Sequence, residues 1–175
     1  MNTPNKLTLL RVVMIPLFIL FFLYEITPYS NYIALFLFVV AFFTDWLDGQ
    51  LARKYNQVTN FGKIMDPLAD KVLVAAAMVC LTYIGVVSPW VTIAILAREF
   101  VVSGIRIAAA AEGNVVAASI WGKAKTMWQF VAITVALLFM EQNLIVDIGM
   151  WLNLALTFVS GLDYILKNKK YLSYK

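Results

Sequence analysis

The sequence contains no histidine and a single cysteine, Cys80, which lies inside an apolar run. Without histidine the usual side-chain general base and the commonest transition-metal ligand are both missing. A lone cysteine excludes an intrachain disulfide and a cysteine-built metal site. Acid–base chemistry is left to Asp, Glu, Lys, Tyr or water. Charge is scarce as well: 14% of the 175 residues are charged, against 62% that are apolar. Soluble domains are about half apolar and about a quarter charged, so this composition is built for lipid. No Pro/Gly/Ser-rich linker, charge block, repeat or low-complexity tract divides the chain, which reads as one domain over residues 1–175.

The formal charge of +4 comes from 14 basic and 10 acidic residues. The basic residues punctuate apolar runs and form no patch, so they read as membrane topology, with no nucleic-acid partner. Lys6 and Arg11 ahead of the apolar stretch Val12 to Tyr24 suggest a signal peptide. The residues that follow, Glu25 to Tyr29, lack a small-x-small cleavage pattern, and a retained first helix is expected.

Apolar runs separated by turn signals predict an all-α integral-membrane bundle of six transmembrane helices: Leu7–Ile26, Asn31–Tyr55, Met65–Gly85, Pro89–Ala111, Ser119–Met140 and Leu144–Leu166. Each is near the roughly 20 residues that cross a hydrocarbon core. With the amino terminus inside, the connections near 27–30, 86–89 and 141–147 fall outside and carry no Lys or Arg. The inner connections and termini hold Arg53, Lys54, Lys63, Lys123, Lys125, Lys167, Lys169, Lys170 and Lys175. Only Arg98 is near mid-span, so the positive-inside rule places both termini in the cytoplasm. Trp90, Trp121 and Trp151 near span ends fit an aromatic belt.

Asp45 and Asp48 fall within the second predicted span, and Asp66 and Asp70 early in the third. A charged side chain at mid-membrane costs at least about 2.5–3.5 kcal/mol, so intramembrane acids are rarely kept without a use. Residues three or four apart share a helix face, which puts Asp45 with Asp48 and lines up Gly62, Asp66 and Asp70. Asp45 lies about 21 Å along its helix from the outer end, and Asp70 about 9 Å into the next helix from a start near Ile64, at about 1.5 Å per residue. Two antiparallel helices would thus gather these carboxylates near the cytoplasmic face. Anions so close repel unless cations intervene, and hard divalent ions with oxygen ligands, Mg²⁺ or Mn²⁺, answer that need. Solvated acids paired with Arg53, Lys63 and Lys71 are the competing reading. Gly49 and Ala52 beside the acids leave room for a ligand, or for close helix packing.

The run Asp45-Trp46-Leu47-Asp48-Gly49-Gln50-Leu51-Ala52-Arg53, eight residues, then Gly62-Lys63-Ile64-Met65-Asp66-Pro67-Leu68-Ala69-Asp70 matches D-x-x-D-G-x-x-A-R, eight residues, G-x-x-x-D-x-x-x-D at every fixed position. It resembles the signature of the CDP-alcohol phosphotransferase family. Pro4 to Thr8 with Arg11 and Ile15-Pro16, Ala97 to Phe100 with Ser103 to Arg106, and Gly122 to Thr126 look like the bacterial branch whose acceptor is glycerol 3-phosphate. The final span and basic tail add little beyond topology to this resemblance.

The resemblance implies a homodimer in a bacterial cytoplasmic membrane, multi-pass, with its active site facing the cytoplasm. It implies transfer of the phosphatidyl group of CDP-diacylglycerol to glycerol 3-phosphate with release of CMP. It also implies two divalent metal ions, Asp45, Asp48 and Asp66 holding the first and Asp45, Asp66 and Asp70 the second. Asp70 would take the proton from the acceptor hydroxyl. Gly49, Ala52, Arg53, Thr59 and Gly62 match positions of the CDP-lipid site, with Asn5 and Thr8 added to them.

A phosphorylated acceptor needs cations, and Arg98, Arg106, Lys123 and Lys125 are the candidates. Arg98 and Arg106 share a face of the fourth helix; Arg98 needs an anion or a water-filled cavity, and a structural pair with Glu99 or Asp163 is the other reading. Lys123 and Lys125 point to different sides, so one of them is expected to reach the pocket. Serine, inositol phosphate or phosphatidylglycerol as acceptor remains an alternative within the family. A divalent-cation transporter is the alternative outside it, though the outer half lacks the buried charge that transport needs.

Overall fold

The computed structural model describes residues 3–24, 26–54, 60–111 and 119–168, without the side chains of 3–8, 45–54, 60–68, 70, 110 and 111. Six helices account for nearly all of these: α1 Thr3–Leu23, α2 Ser30–Lys54, α3 Asn60–Tyr83, α4 Pro89–Ala111, α5 Ile120–Phe139 and α6 Leu144–Lys167. Among the described residues there is no strand.

The helix ends follow local chemistry. Ser119 caps α5 by accepting from the Gly122 backbone N–H, and Asn143 caps α6 by accepting from the Val146 N–H at 2.9 Å. After α3 the chain turns at Gly85, with φ +77°, and the Val86 N–H returns to the Leu81 carbonyl at 2.9 Å. A side chain there would be strained, which is why glycine ends this helix. Met140 makes the corresponding left-handed turn after α5.

Two helices begin earlier than their apolar runs do. α1 starts at Thr3, where the run Thr3-Pro4-Asn5 offers a helix start ahead of the apolar stretch from Leu7, and stops at Leu23 instead of Ile26, and α3 starts at Asn60 instead of Met65. An apolar run marks where a helix meets a greasy environment, whereas the backbone continues to wind through the polar residues before it. Asp70 is therefore about 15 Å into α3, deeper than the sequence spacing suggested.

α1 packs along α2 and α3, α4 pairs with α6, and α5 joins α6 to α2 and α3. The apolar core runs through Phe18, Phe38, Leu73, Met78, Leu81, Ile95, Ile133 and Leu137, all buried. These residues lie towards the connections at 24–29, 84–88 and 140–143. Arg11, Lys71, Lys125 and Gln129 lie further along their helices from these connections, and Arg98 and Glu99 stand near the middle of α4. Buried charge thus begins near the middle of the bundle, and the signature positions lie on the far side of it from these connections.

Its outer surface is apolar over the length of several helices: Phe36, Phe43, Val79, Ile93, Phe100, Ile107, Phe158 and Leu162 are all exposed. So are Trp90, Trp121 and Trp151. Among the described residues, α6 is the one helix long and apolar enough to cross a membrane by length and composition, and shorter apolar stretches occupy Leu9–Leu23, Ser30–Thr44 and Lys71–Tyr83.

Candidate functional site

On α2 the buried positions Ala34, Phe38 and Ala41 recur at steps of four and three. The same alternation, carried on along this helix, lands on positions 45 and 48. On α3 both Ala77 and Leu73 are buried, and steps of three and four back from Leu73 reach positions 70 and 66. The backbone is helical through all four positions. The side chains of Asp45, Asp48, Asp66 and Asp70 lie outside the described residues, as do those of Asn5, Thr8, Gly49, Ala52, Arg53 and Gly62, and Thr59 lies outside them altogether.

The donor set at these positions fits a hard divalent cation. It offers four carboxylates from two helices, with no histidine in the chain and the one thiol, Cys80, buried in the apolar core. Among the described residues no three His, Cys, Asp or Glu side chains group together.

Next to this stretch is a cleft lined by Phe38, Phe42, Lys71, Val74, Glu99, Thr126, Gln129 and Phe130, enclosing about 400 Å³ with its open mouth included. One wall is aromatic, where Phe42 stacks on Phe130 with ring centroids 3.8 Å apart and Phe38 stacks behind at 5.9 Å. The other wall is polar and centres on Glu99. Its Oε1 accepts from Arg98 Nη1 at 3.2 Å and from Lys125 Nζ, and Lys125 also donates to Gln129 Oε1. Arg98 Nη2 reaches across to α6 and donates to Ser160 Oγ at 3.0 Å. Glu99 therefore ties α4 to α5, and Arg98 ties α4 to α6.

The four residues predicted to bind the acceptor phosphate occupy different environments. Arg98 and Lys125 meet through Glu99. Lys125 is fully buried, while Lys123 is exposed, as expected of residues two apart on a helix. Arg106 is exposed two turns along α4 from Arg98, with its guanidinium 5.8 Å from the centre of the Tyr164 ring. Of the two structural partners considered for Arg98, Glu99 is in place, whereas Asp163 is bonded to Lys167 at 2.6 Å.

Lys71, Glu99, Thr126, Gln129 and Ser160 are polar residues of this region that were not among the predicted site residues. Gln129 carried a legible signal, being four residues from Lys125 and hence on its face. Ser160 was missed because the charged Asp163, three residues on, was the α6 partner considered for Arg98. The sixth span thus supplies more than topology.

Gly161, also on α6, lets Arg98 through: a Cβ at this position would stand 3.1 Å from Arg98 Cγ. Gly161→Val is expected to push the arginine stem aside and raise the acceptor KM about five- to tenfold, the effect of weakening one charged hydrogen bond. Steady-state kinetics with acceptor and CDP-lipid varied separately check this, and an unchanged acceptor KM would exclude Arg98 from acceptor binding.

A helical bundle with two aspartate pairs on adjoining helices and a part-aromatic, part-polar cleft beside them defines a class, and comparison with known proteins supplies its family. The chain belongs to the CDP-alcohol phosphatidyltransferase family, whose sequence model matches residues 1–159. It is 41% identical over 186 residues to the CDP-diacylglycerol–glycerol-3-phosphate 3-phosphatidyltransferase of Bacillus subtilis (strain 168), covering 95% of each chain. Proteins of the same name from Rickettsia bellii (strain RML369-C) and Escherichia coli (strain K12) are 39% and 42% identical. The matches cover 97% of this chain and 97% of the Rickettsia protein, and 98% of this chain and 93% of the Escherichia protein.

Proposed function

We infer that this chain transfers the phosphatidyl group of CDP-diacylglycerol to glycerol 3-phosphate, releasing CMP, as a step of phospholipid synthesis. The observation that carries this reading is identity near 40% along almost the whole chain with relatives that bear that name. The intact signature adds that the residues for the chemistry are present.

Asp45, Asp48 and Asp66 would hold one divalent ion and Asp45, Asp66 and Asp70 a second. When bound, such ions (Mg²⁺ or Mn²⁺) screen the diphosphate and stabilise the departing CMP. Asp70 takes the proton of the acceptor's primary hydroxyl as that oxygen attacks the lipid-bearing phosphorus. The new O–P bond forms as the bond from that phosphorus to the CMP oxygen breaks, and the electron pair leaves with CMP. With neither histidine nor an accessible cysteine, direct displacement is favoured over a covalent enzyme intermediate. Gly49, Ala52, Arg53, Thr59 and Gly62 would receive the CDP-lipid, with Asn5 and Thr8 from α1.

The acceptor enters the cleft beside Glu99. Lys71 lines this cleft, and Arg98 and Lys125 stand behind it on Glu99. Cations gathered there suit the dianion of a phosphate monoester better than the zwitterion of serine. Arg106 and Lys123 are exposed on the same half of the bundle and would act by attracting the acceptor. The six helices form a six-span bundle of one domain, with both termini and the site on the cytoplasmic side. This reading is supported by the apolar outer surface and the positive-inside pattern. The working unit is a homodimer in a bacterial membrane.

The deciding experiment is CMP release by the purified protein from CDP-diacylglycerol with glycerol 3-phosphate, serine or inositol phosphate as acceptor. Glycerol 3-phosphate alone is expected to support release, EDTA to abolish it, and added Mg²⁺ or Mn²⁺ to restore it. Turnover with serine alone would overturn the acceptor assignment. Divalent-cation uptake into proteoliposomes free of CDP-lipid would favour a transporter.

A further inference from the structure

Gln129 is on α5, one turn beyond Lys125, with 3% of its surface exposed. Lys125 donates to its Oε1. An ammonium has three donors and no acceptor, so this contact fixes which end of the carboxamide carries oxygen. The opposite end, Nε2, is buried and meets no hydrogen-bond partner among the described residues. Gln129 lines the cleft, and Lys125, which holds its oxygen, does not. An unmatched, buried NH₂ thus belongs to a residue of the cleft wall, and buried amide donors in native proteins are nearly always matched by an acceptor.

The surroundings indicate which acceptor. Gln129 is neutral and shares Lys125 with Glu99, whose carboxylate repels a phosphate brought close to it. On its other side are the stacked rings of Phe42 and Phe130, which suit a carbon chain better than a dianion. A hydroxyl oxygen on a short carbon backbone satisfies all of these neighbours.

We propose that Gln129 determines acceptor specificity, donating from Nε2 to the secondary hydroxyl of glycerol 3-phosphate, the one that does not attack. This rests on the acceptor assignment made above. Lys125 is then a positioning residue, which acts by holding the carboxamide in this orientation. The enzyme reads its acceptor twice, through charge at the phosphate and through a neutral donor at the middle carbon.

The test compares glycerol 3-phosphate with propane-1,3-diol monophosphate, which keeps the phosphate and the attacking primary hydroxyl and lacks only the secondary one. With wild-type protein, kcat/KM is expected to be about ten- to a hundredfold lower for the analogue, as when a buried donor is left unmatched. In Gln129→Met, glycerol 3-phosphate should fall by a similar factor while the analogue changes by less than about threefold. Equal losses on both acceptors would assign Gln129 to packing or to the phosphate and overturn the proposal. Wild-type protein that uses the two acceptors equally would overturn it without any variant, so a failure of Gln129→Met to fold leaves the test intact. Absence of CMP release from wild-type protein with glycerol 3-phosphate would instead overturn the acceptor assignment, and this proposal with it.

Discussion

Asp70→Asn is expected to lower CMP release by about 10²–10⁴-fold, the usual contribution of a positioned general base. Asparagine has the same shape and can still be housed at this position, but its carboxamide neither takes up a proton at neutral pH nor carries the charge of a metal ligand. With no histidine in the chain, few groups are left to replace it. The base role is separable from the metal role by comparison with Asp48→Asn, since Asp48 is assigned to a single ion and to no proton. At saturating Mn²⁺, Asp48→Asn should recover a substantial part of its rate and Asp70→Asn should not. Rates measured over a series of Mn²⁺ concentrations check this, and parallel recovery of the two variants would remove Asp70 from proton transfer.

How far the sequence predicted this molecule depends on the length scale of each question. Six helices were legible because each is an apolar run bounded by turn chemistry, and α4 was placed at both ends, from Pro89 to Ala111. The start of α3 was not, because Asn60 to Ile64 wind into helix ahead of the hydrophobic stretch that marked it. The spacing of the aspartates sets each pair on one face of its helix, and the register of the buried stripe on α2 and α3 runs through their positions, while their side chains lie outside the described residues.

The acceptor side was read less well. Arg98 and Lys125 were singled out as cations, but what they touch is set by which helices are neighbours. Glu99 and Lys125 are 26 positions apart on helices whose mutual orientation no local pattern encodes. Gln129, an uncharged residue inside an apolar run, is signalled by its spacing of four from Lys125 alone, and that spacing acquires meaning once Lys125 is seen to face inward.

The other large effect is expected at Glu99, and it concerns stability together with binding. Lys125 is fully buried, and the carboxylate of Glu99, at 19% exposure, accepts from it and from Arg98 together. Removing one partner of a buried pair costs about 3–5 kcal/mol when the remaining charge is left uncompensated. Glu99→Gln preserves the volume, and Gln129 still accepts from Lys125, so a smaller loss of about 2–3 kcal/mol is expected. For a chain of this size that corresponds to a fall in unfolding temperature of about 5–10 °C, which tryptophan fluorescence of the detergent-solubilised protein can follow. Adding Lys125→Met should return part of that loss, because the buried ammonium goes with its counter-ion, and the pair should be strongly non-additive. Function should not return with stability. The double variant lacks the cation that orients Gln129 and the carboxylate that holds Arg98, so its acceptor KM should stay raised while its KM for CDP-diacylglycerol is little changed. Additive losses in stability would mean that Glu99 and Lys125 do not rely on each other. A normal acceptor KM in the double variant would mean that the ion pair holds the bundle together without shaping the cleft.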